Sequence, residues 1–210
     1  MKLLIIGGST LGLTVAEIAK RTGSFSVEGF IDDSPESLPP ISASLFWGKT
    51  NNLSASKIKD KKLVIAVGDN KNRRKLCSLI NSRGLEYSMA TIIDPAAILL
   101  GNISIGYGSV IFPGAIIGPG AVLGKYVLAN SNAFIGAMSN IGSFTNICPG
   151  ACIGSSTCIG DGAYVGMRAS IIQNLSIAPD VVIGAGASVI TNLSETGTFA
   201  GTPARQISLR

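Results

Sequence analysis

Residues 115–165 read AIIGPG AVLGKY VLANSN AFIGAM SNIGSF TNICPG ACIGSS TCIGDG AYV, and this period of six decides the fold. The third letter of each hexad is an anchor: Ile117, Leu123, Ala129, Ile135, Ile141, Ile147, Ile153, Ile159 and Val165. The same phase extends outward to Ile93 and to Val189, and only Ala129 departs from Ile, Leu or Val. Glycine often follows at once, as at Gly118, Gly136 and Gly154, and a small or β-branched residue such as Ala115 or Thr145 stands two before. Six fits neither the 3.6 of a helix nor a long two-residue alternation. It is the signature of a parallel β-helix of hexapeptides, three to a triangular coil, with the anchor filling the axis. The glycine after the anchor is expected to permit the tight turn that a Cβ would obstruct. A coil cannot bury its interior alone, so stability is expected from stacking on the next.

Upstream of the coils the pattern changes. Lys2 to Ile6 is an apolar run ending in Gly7-Gly8-Ser9-Thr10-Leu11-Gly12, and Leu13, Val15, Ala16, Ile18 and Ala19 follow at helical spacing with Ser9 or Thr10 as N-cap. Strand, glycine turn and helix open a nucleotide-binding βαβ unit, and the turn offers backbone N–H groups to an anion. Its glycines do not give G-x-G-x-x-G, which disfavours NAD. Phe25 to Ile31 reads as the second strand, ending in Asp32-Asp33, whose carboxylates suit ribose or base hydrogen bonds. A short strand is expected near Leu45 to Trp47. Leu63 to Val67 reads as a buried strand before Gly68-Asp69-Asn70 and a helix from Lys71 to Arg83, and Tyr87 to Thr91 as a last strand. The division is therefore an α/β Rossmann-like domain over residues 1–91 and a β-helix over 92–210. Glycines and Pro203 after Val189 mark loops capping or leaving the last coil, whose open edge needs a cap.

All of the excess positive charge lies before residue 91, much of it between Lys57 and Lys75. A solvated face or attraction for an anionic nucleotide explains it; nucleic acid is not expected, because no aromatics are interleaved and no binding motif is visible. No run of about 18 apolar residues exists, so no membrane span is expected. The N-terminal Leu3 to Ile6 run is too short for a signal-peptide core, which gives a cytoplasmic location by default. The cysteines are Cys77, Cys148, Cys152 and Cys158, and the chain has no histidine. A metal site is accordingly unsupported, and buried reduced thiols are expected, with Cys152 and Cys158 on successive faces of a coil.

The combination resembles the sugar acyltransferases of the sialic-acid O-acetyltransferase and bacillosamine N-acetyltransferase type. It rests on Ile5-Ile6-Gly7-Gly8 with Gly12, Gly29 to Asp33, Ile65 to Asn70, the hexapeptides, and Gly201-Thr202-Pro203-Ala204-Arg205. The resemblance implies a left-handed β-helix and a homotrimer, with acetyl-CoA as co-substrate lying along the coils between neighbouring subunits. It also implies a nucleotide-linked amino sugar on the N-domain, in surface polysaccharide or glycan synthesis. The substrate contacts it suggests are Gly7, Gly8, Ser9, Asp32, Asp33, Asp69 and Asn70. The cofactor contacts are Asn146, Ser155, Met167, Gly184 and Ala185.

The family's catalytic histidine and its acidic neighbour, in a stretch resembling N-x-x-S-x-I-E-H-D, match Ala137 and Met138 in Asn130 to Met138. A second family histidine matches Asn146. The usual general base is therefore missing, and Asn130 and Asn146 are the candidate polar contributors, with Ser131, Ser139, Cys148 and Asp161 nearby in sequence. A sugar hydroxyl needs a base, an effect of about 10²–10⁴ in rate. A neutral amine attacks a thioester unaided, so N-acylation by positioning and an oxyanion-stabilising Asn146 amide is favoured over O-acylation. The alternative is a non-catalytic relative that binds a nucleotide sugar or acts as a pathway scaffold.

Overall fold

The computed structural model describes residues 1–208; Leu209 and Arg210, assigned above to the second domain, lie outside the described residues. The chain divides into two compact units, Met1–Pro95 and Ala96–Arg210.

The first unit contains β1 (Lys2–Ile6), α1 (Thr10–Arg21), β2 (Ser26–Ile31), α2 (Pro40–Ser44), β3 (Phe46–Gly48), β4 (Lys61–Ile65) and α3 (Asn70–Ser82). The strands form a parallel sheet in the order β3-β2-β1-β4. The unbroken apolar run of β1 suits a central parallel strand buried on both faces, and Leu3 to Ile6 are at most 1% exposed. Gly12 is required by packing: a Cβ there would run into the Gly7 carbonyl oxygen, so α1 rests directly on the turn after β1. Ser9 takes the N-cap position of α1, but its side chain makes no capping bond. The strand expected over Tyr87 to Thr91 is instead a 3₁₀ turn over Glu86–Ser88 with a single bridge from Met89 to Leu63. Leu85, Ser88 and Met89 spend their N–H groups on Ile80, Leu85 and Glu86, which leaves little for a ladder.

Arg73 lies among the basic residues of Lys57 to Lys75, yet it is fully buried. Its guanidinium donates to the carbonyls of Val67 (2.8 Å) and Gly68 (3.1 Å) and to Asn70 Oδ1 (2.8 Å). Burial pushes its pKa down to about 10, so it is still charged at neutral pH. Arg73→Met keeps the volume but strands these acceptors. It is expected to destabilise the first unit by about 2 kcal/mol, read as a lower urea midpoint.

The second unit is a three-sided stack of parallel two-residue strands. Face I holds Ser104–Ile105, Val122–Leu123, Asn140–Ile141, Cys158–Ile159 and Ser176–Ile177. Face II holds Val110–Ile111, Leu128–Ala129, Asn146–Ile147, Tyr164–Val165 and Val182–Ile183. Face III holds Ile98–Leu99, Ile116–Ile117, Phe134–Ile135, Cys152–Ile153, Ser170–Ile171 and Ser188–Val189. The anchors from Ile111 to Val189 point inward and are buried. The residue before each anchor points outward on most strands, as strand alternation requires. Cys152 and Cys158 occupy that outward position on faces III and I, so they are exposed, whereas Cys77 and Cys148 are buried. The expectation of four buried thiols is corrected on that ground. The tail does not leave the stack at Val189: Thr198–Ala200 adds to face II beside Val182–Ile183, and Arg205–Ile207 pairs antiparallel with it.

The glycine after the anchor has a different task from the turn assigned to it. Left-handed backbone falls three residues after the anchor, at every sixth position from Gly108 to Gly186. Tyr126, Asn132, Met138, Phe144, Ser156, Arg168, Asn174 and Asp180 take φ near +55° to +62° there with side chains attached. Such a residue costs about 1–2 kcal/mol alone. Here the ladder over-determines it: Met138 N–H donates to Pro119 O (2.9 Å) and Phe144 N–H to Lys125 O (2.8 Å), one coil below. The Tyr126 and Phe144 rings also stack at 5.1 Å. Gly136 illustrates the other position, where an added Cβ would collide with the Ser155 backbone N of the next coil. Gly136→Ala is therefore expected to cost about 2–3 kcal/mol in thermal or urea unfolding. Gly68→Ala, whose Cβ meets only Leu11 Cδ2 at 3.7 Å, serves as the near-neutral control.

Candidate functional site

A cavity of about 320 Å³ opens beyond the carboxyl ends of β1, β2 and β4, lined in part by Gly7, Asp32, Asp33, Thr50, Asn72 and Lys75. Open parallel α/β sheets bind ligands at that end. Asp32 and Asp33 are held firmly. Asp32 accepts from Gly8 N–H (2.9 Å) and Ser34 N–H (3.0 Å), and Asp33 accepts from the N–H and hydroxyl of Thr50 at 2.9 Å each. The Gly8 N–H, expected to face an external anion, thus donates to the chain's own carboxylate. The Asp32 charge makes the turn a poor seat for phosphate and a better one for hydroxyl or N–H donors.

Other expected substrate contacts are occupied differently. Asp69 caps α3 by accepting from Asn72 N–H at 2.7 Å, and Asn70 accepts from Arg73. Neither lines the cavity, and the exposed Ser9 does not line it either. A second depression of about 490 Å³ lies at the amino ends of the strands, near Lys61 and Lys62. Both lysines are engaged, Lys61 with Glu28 (3.1 Å) and Lys62 with Tyr87 O (3.2 Å).

On the β-helix, the candidate residues separate onto two places. Asn130, Asn146, Met167, Gly184 and Ala185 belong to face II and its following corner. Asn130 Nδ2 donates to Asn146 Oδ1 (2.8 Å) and to Ile147 O (2.9 Å). Gly186 N–H donates to Met167 O (2.8 Å), so Met167 and Ala185 sit on successive coils of one corner. Ala137, Met138 and Ser155 lie instead on the corner between faces III and I, where Ser156 N–H donates to Ala137 O (2.8 Å). That corner is the vertex opposite face II in a triangular coil. Asn146 is 6% exposed and Met138 69% exposed.

Three polar neighbours turn out to be structural. Ser139 Oγ donates to Gly154 O (3.0 Å), and Asp161 Oδ1 accepts from Ser143 N–H (2.7 Å). Ser131 contributes its backbone carbonyl to Gly150. Tyr164 was missed by sequence reasoning. It stands in register beside Asn146 on the next coil. A signal existed: face II breaks the anchor-then-glycine rule at Phe112, Asn130 and Cys148, whereas the strands between them on the other faces carry Gly118, Gly124, Gly136 and Gly142. Among the described residues no group of three or more His, Cys, Asp or Glu could hold a metal, and no helix is long and apolar enough to cross a membrane.

Comparison with known proteins agrees with this architecture. Residues 2–80 match the family model of the PglD N-terminal domain. The acetyltransferase domain of PglB from Neisseria gonorrhoeae FA1090 is 29% identical with a TM-score of 0.86, covering 98% of this chain and 99% of that one. The same domain has been solved in complex with acetyl coenzyme A. PerB from Caulobacter crescentus, solved with CoA and GDP-perosamine, gives a TM-score of 0.90 at 23% identity over 99% and 98% of the two chains. WeeI from Acinetobacter baumannii AYE gives 0.84 at 24% identity over 99% and 100%. The fold is thus a Rossmann-like α/β domain followed by a left-handed parallel β-helix. No curated protein sequence matches the chain.

Proposed function

We propose that this chain, a member of the hexapeptide-repeat sugar acyltransferases with a PglD-type N-terminal domain, transfers an acyl group from acyl-CoA to the amine of a nucleotide-linked sugar. The observation that carries the reading is the Asn130–Asn146 pair on face II, at a position where the family has a histidine, in a chain without histidine. The site then offers hydrogen-bond donors and no base. The neutral amine nitrogen attacks the thioester carbonyl, forming the C–N bond. Collapse of the tetrahedral oxyanion breaks the C–S bond, and the departing CoA thiolate takes the proton from nitrogen. The Asn146 carboxamide is the group best suited to steady the oxyanion. Acetyl-CoA is the donor favoured by the likeness to the PglB domain.

The cavity at Asp32 and Asp33 suits the nucleoside end of the acceptor, whose hydroxyl and N–H groups donate to carboxylates. Asp69 and Asn70 then act through the shape of the loop before α3. The separation of Ala137 and Ser155 from Asn146 by a full face supports a homotrimer, because only a neighbouring protomer can bring a III–I vertex against face II. Met167, Gly184 and Ala185 are the cofactor contacts on the face II side, and Ser155 on the vertex side.

Purified protein incubated with labelled acetyl-CoA and a panel of amino-sugar nucleotides is expected to yield amides stable to mild base and no esters. Ester products would mean that a base exists. Binding of acetyl-CoA with no product from any acceptor would instead support the non-catalytic relative.

A further inference from the structure

The depression at the amino ends of the strands gathers cations and holds them in place. Lys59, Asp60, Lys61 and Lys62 line it together with Ile58 and Tyr87, and its volume of about 490 Å³ is in the range of small-molecule sites. The turn before β4 brings these residues together: Asp60 takes φ +62°, and Lys61 N–H donates to Ile58 O at 2.9 Å. Two of the ammonium groups are fixed in advance. Lys61, its side chain only 17% exposed, reaches Glu28 at 3.1 Å, and Lys62 donates to Tyr87 O at 3.2 Å. An ammonium carries three donors, so these bonds leave each lysine with donors to spare. Glu28 is also shared, because Lys2 binds it at 2.7 Å. The bonds from Lys2 and then Lys61 hold its carboxyl below the usual carboxylate range, so it is charged at neutral pH. Four lysines thus meet two carboxylates, Glu28 and Asp60, and two positive charges are left over.

We propose that this depression is a second binding site, for a small phosphate monoester held by Lys59, Lys61 and Lys62. A monoester carries a charge of about −1.5 to −2 near neutral pH and three strong acceptor oxygens, which matches the surplus charge and the unspent donors. Ile58 and Tyr87 supply an apolar wall for the organic part of the ester, and Tyr87 is 64% exposed. Lysines of a merely solvated face extend into water, whereas Lys61 and Lys62 are tied down beside a concavity. The site is separate from the cavity at Asp32 and Asp33, which opens beyond the opposite ends of the same strands. The five residues of β1 span roughly 13–17 Å between them, and Leu3 to Ile6 are buried along that length. The proposal therefore rests neither on Asn146 nor on acyl transfer.

The test titrates the full chain with glucose 1-phosphate and with inorganic phosphate by calorimetry, neither probe having a nucleobase for the other cavity. Glucose 1-phosphate is expected to bind with a Kd of about 1 mM or tighter, more tightly than inorganic phosphate, and to weaken as salt is raised. Lys59→Gln and Lys62→Gln are each expected to raise that Kd about fivefold to tenfold, as loss of a charge-assisted bond does. Lys75→Gln, in the cavity at the other end of the sheet, is expected to leave it within about twofold. Lys59 is exposed, so its variant decides the matter even where loss of the Lys62 bond to Tyr87 disturbs the fold. No binding of glucose 1-phosphate at about 10 mM would overturn the site, and so would a Kd unchanged in Lys59→Gln or raised equally in Lys75→Gln. Inorganic phosphate binding as tightly as the ester would overturn the assignment to a monoester.

Discussion

Replacing Asn146 by alanine is expected to lower kcat for acyl transfer by about 10²–10³, the usual effect of removing one oxyanion donor. KM for acyl-CoA should change by less than about threefold, because the interaction is made in the transition state and only weakly in the ground state. The reason lies in the surroundings of the side chain. Asn146 is nearly buried and its carbonyl oxygen is engaged by Asn130 at 2.8 Å, so its amide dipole is fixed before substrate arrives. A preorganised, nearly buried dipole needs no reorganisation as charge develops, whereas water admitted by the smaller alanine must reorient. Asn146→Asp is the sharper companion. It is nearly isosteric, yet it presents two acceptors and a negative charge to a developing oxyanion, and it should be at least as poor as alanine. Either variant retaining more than a third of the wild-type kcat would move the stabilisation to backbone N–H groups and remove Asn146 from the chemistry.

The architecture was legible because the repeat is enforced by burial. Each anchor fills the same axial position, and a polar residue at any of them would be desolvated without a partner, so the period survives in plain view. The reason for the glycines was not legible, because sequence does not distinguish a residue that needs positive φ from one that needs room. Structure separates them: Met138 and Phe144 tolerate the left-handed corner, and Gly136 is fixed by the approach of Ser155. The N-domain was read correctly where hydrophobic runs dictate strands. It was misread after Leu85, where local turn bonds take the donors that a strand needs. At the site, Asp32 and Asp33 fell where the strand ends predict. Asp69 and Asn70 did not, since polar residues before a helix serve the cap and the buried Arg73 first. Tyr164 escaped notice because its register neighbour Asn146 lies a full coil away in sequence.

Restoring a base should change what the protein makes. Ala137→His is expected to give esters with hydroxyl-bearing sugar nucleotides at about 10²–10⁴ times the wild-type rate, the range general-base catalysis supplies. Ala137 is not among the left-handed positions, and its carbonyl already accepts from Ser156 N–H, so the backbone can carry an imidazole without rearrangement. Its following residue, Met138, stands exposed on the same corner, which leaves the ring room to turn outward toward an acceptor. The sign of the pH dependence is a second readout. Only neutral imidazole accepts a proton, so ester formation should rise with pH through about 6.5 and then level off. Amide formation in the wild type should instead follow deprotonation of the acceptor amine and show no step near that value. A folded Ala137→His protein that makes no ester, with an unchanged pH profile, would mean that this corner does not meet the acceptor. The separation of vertex and face would then lose its meaning as two halves of one site.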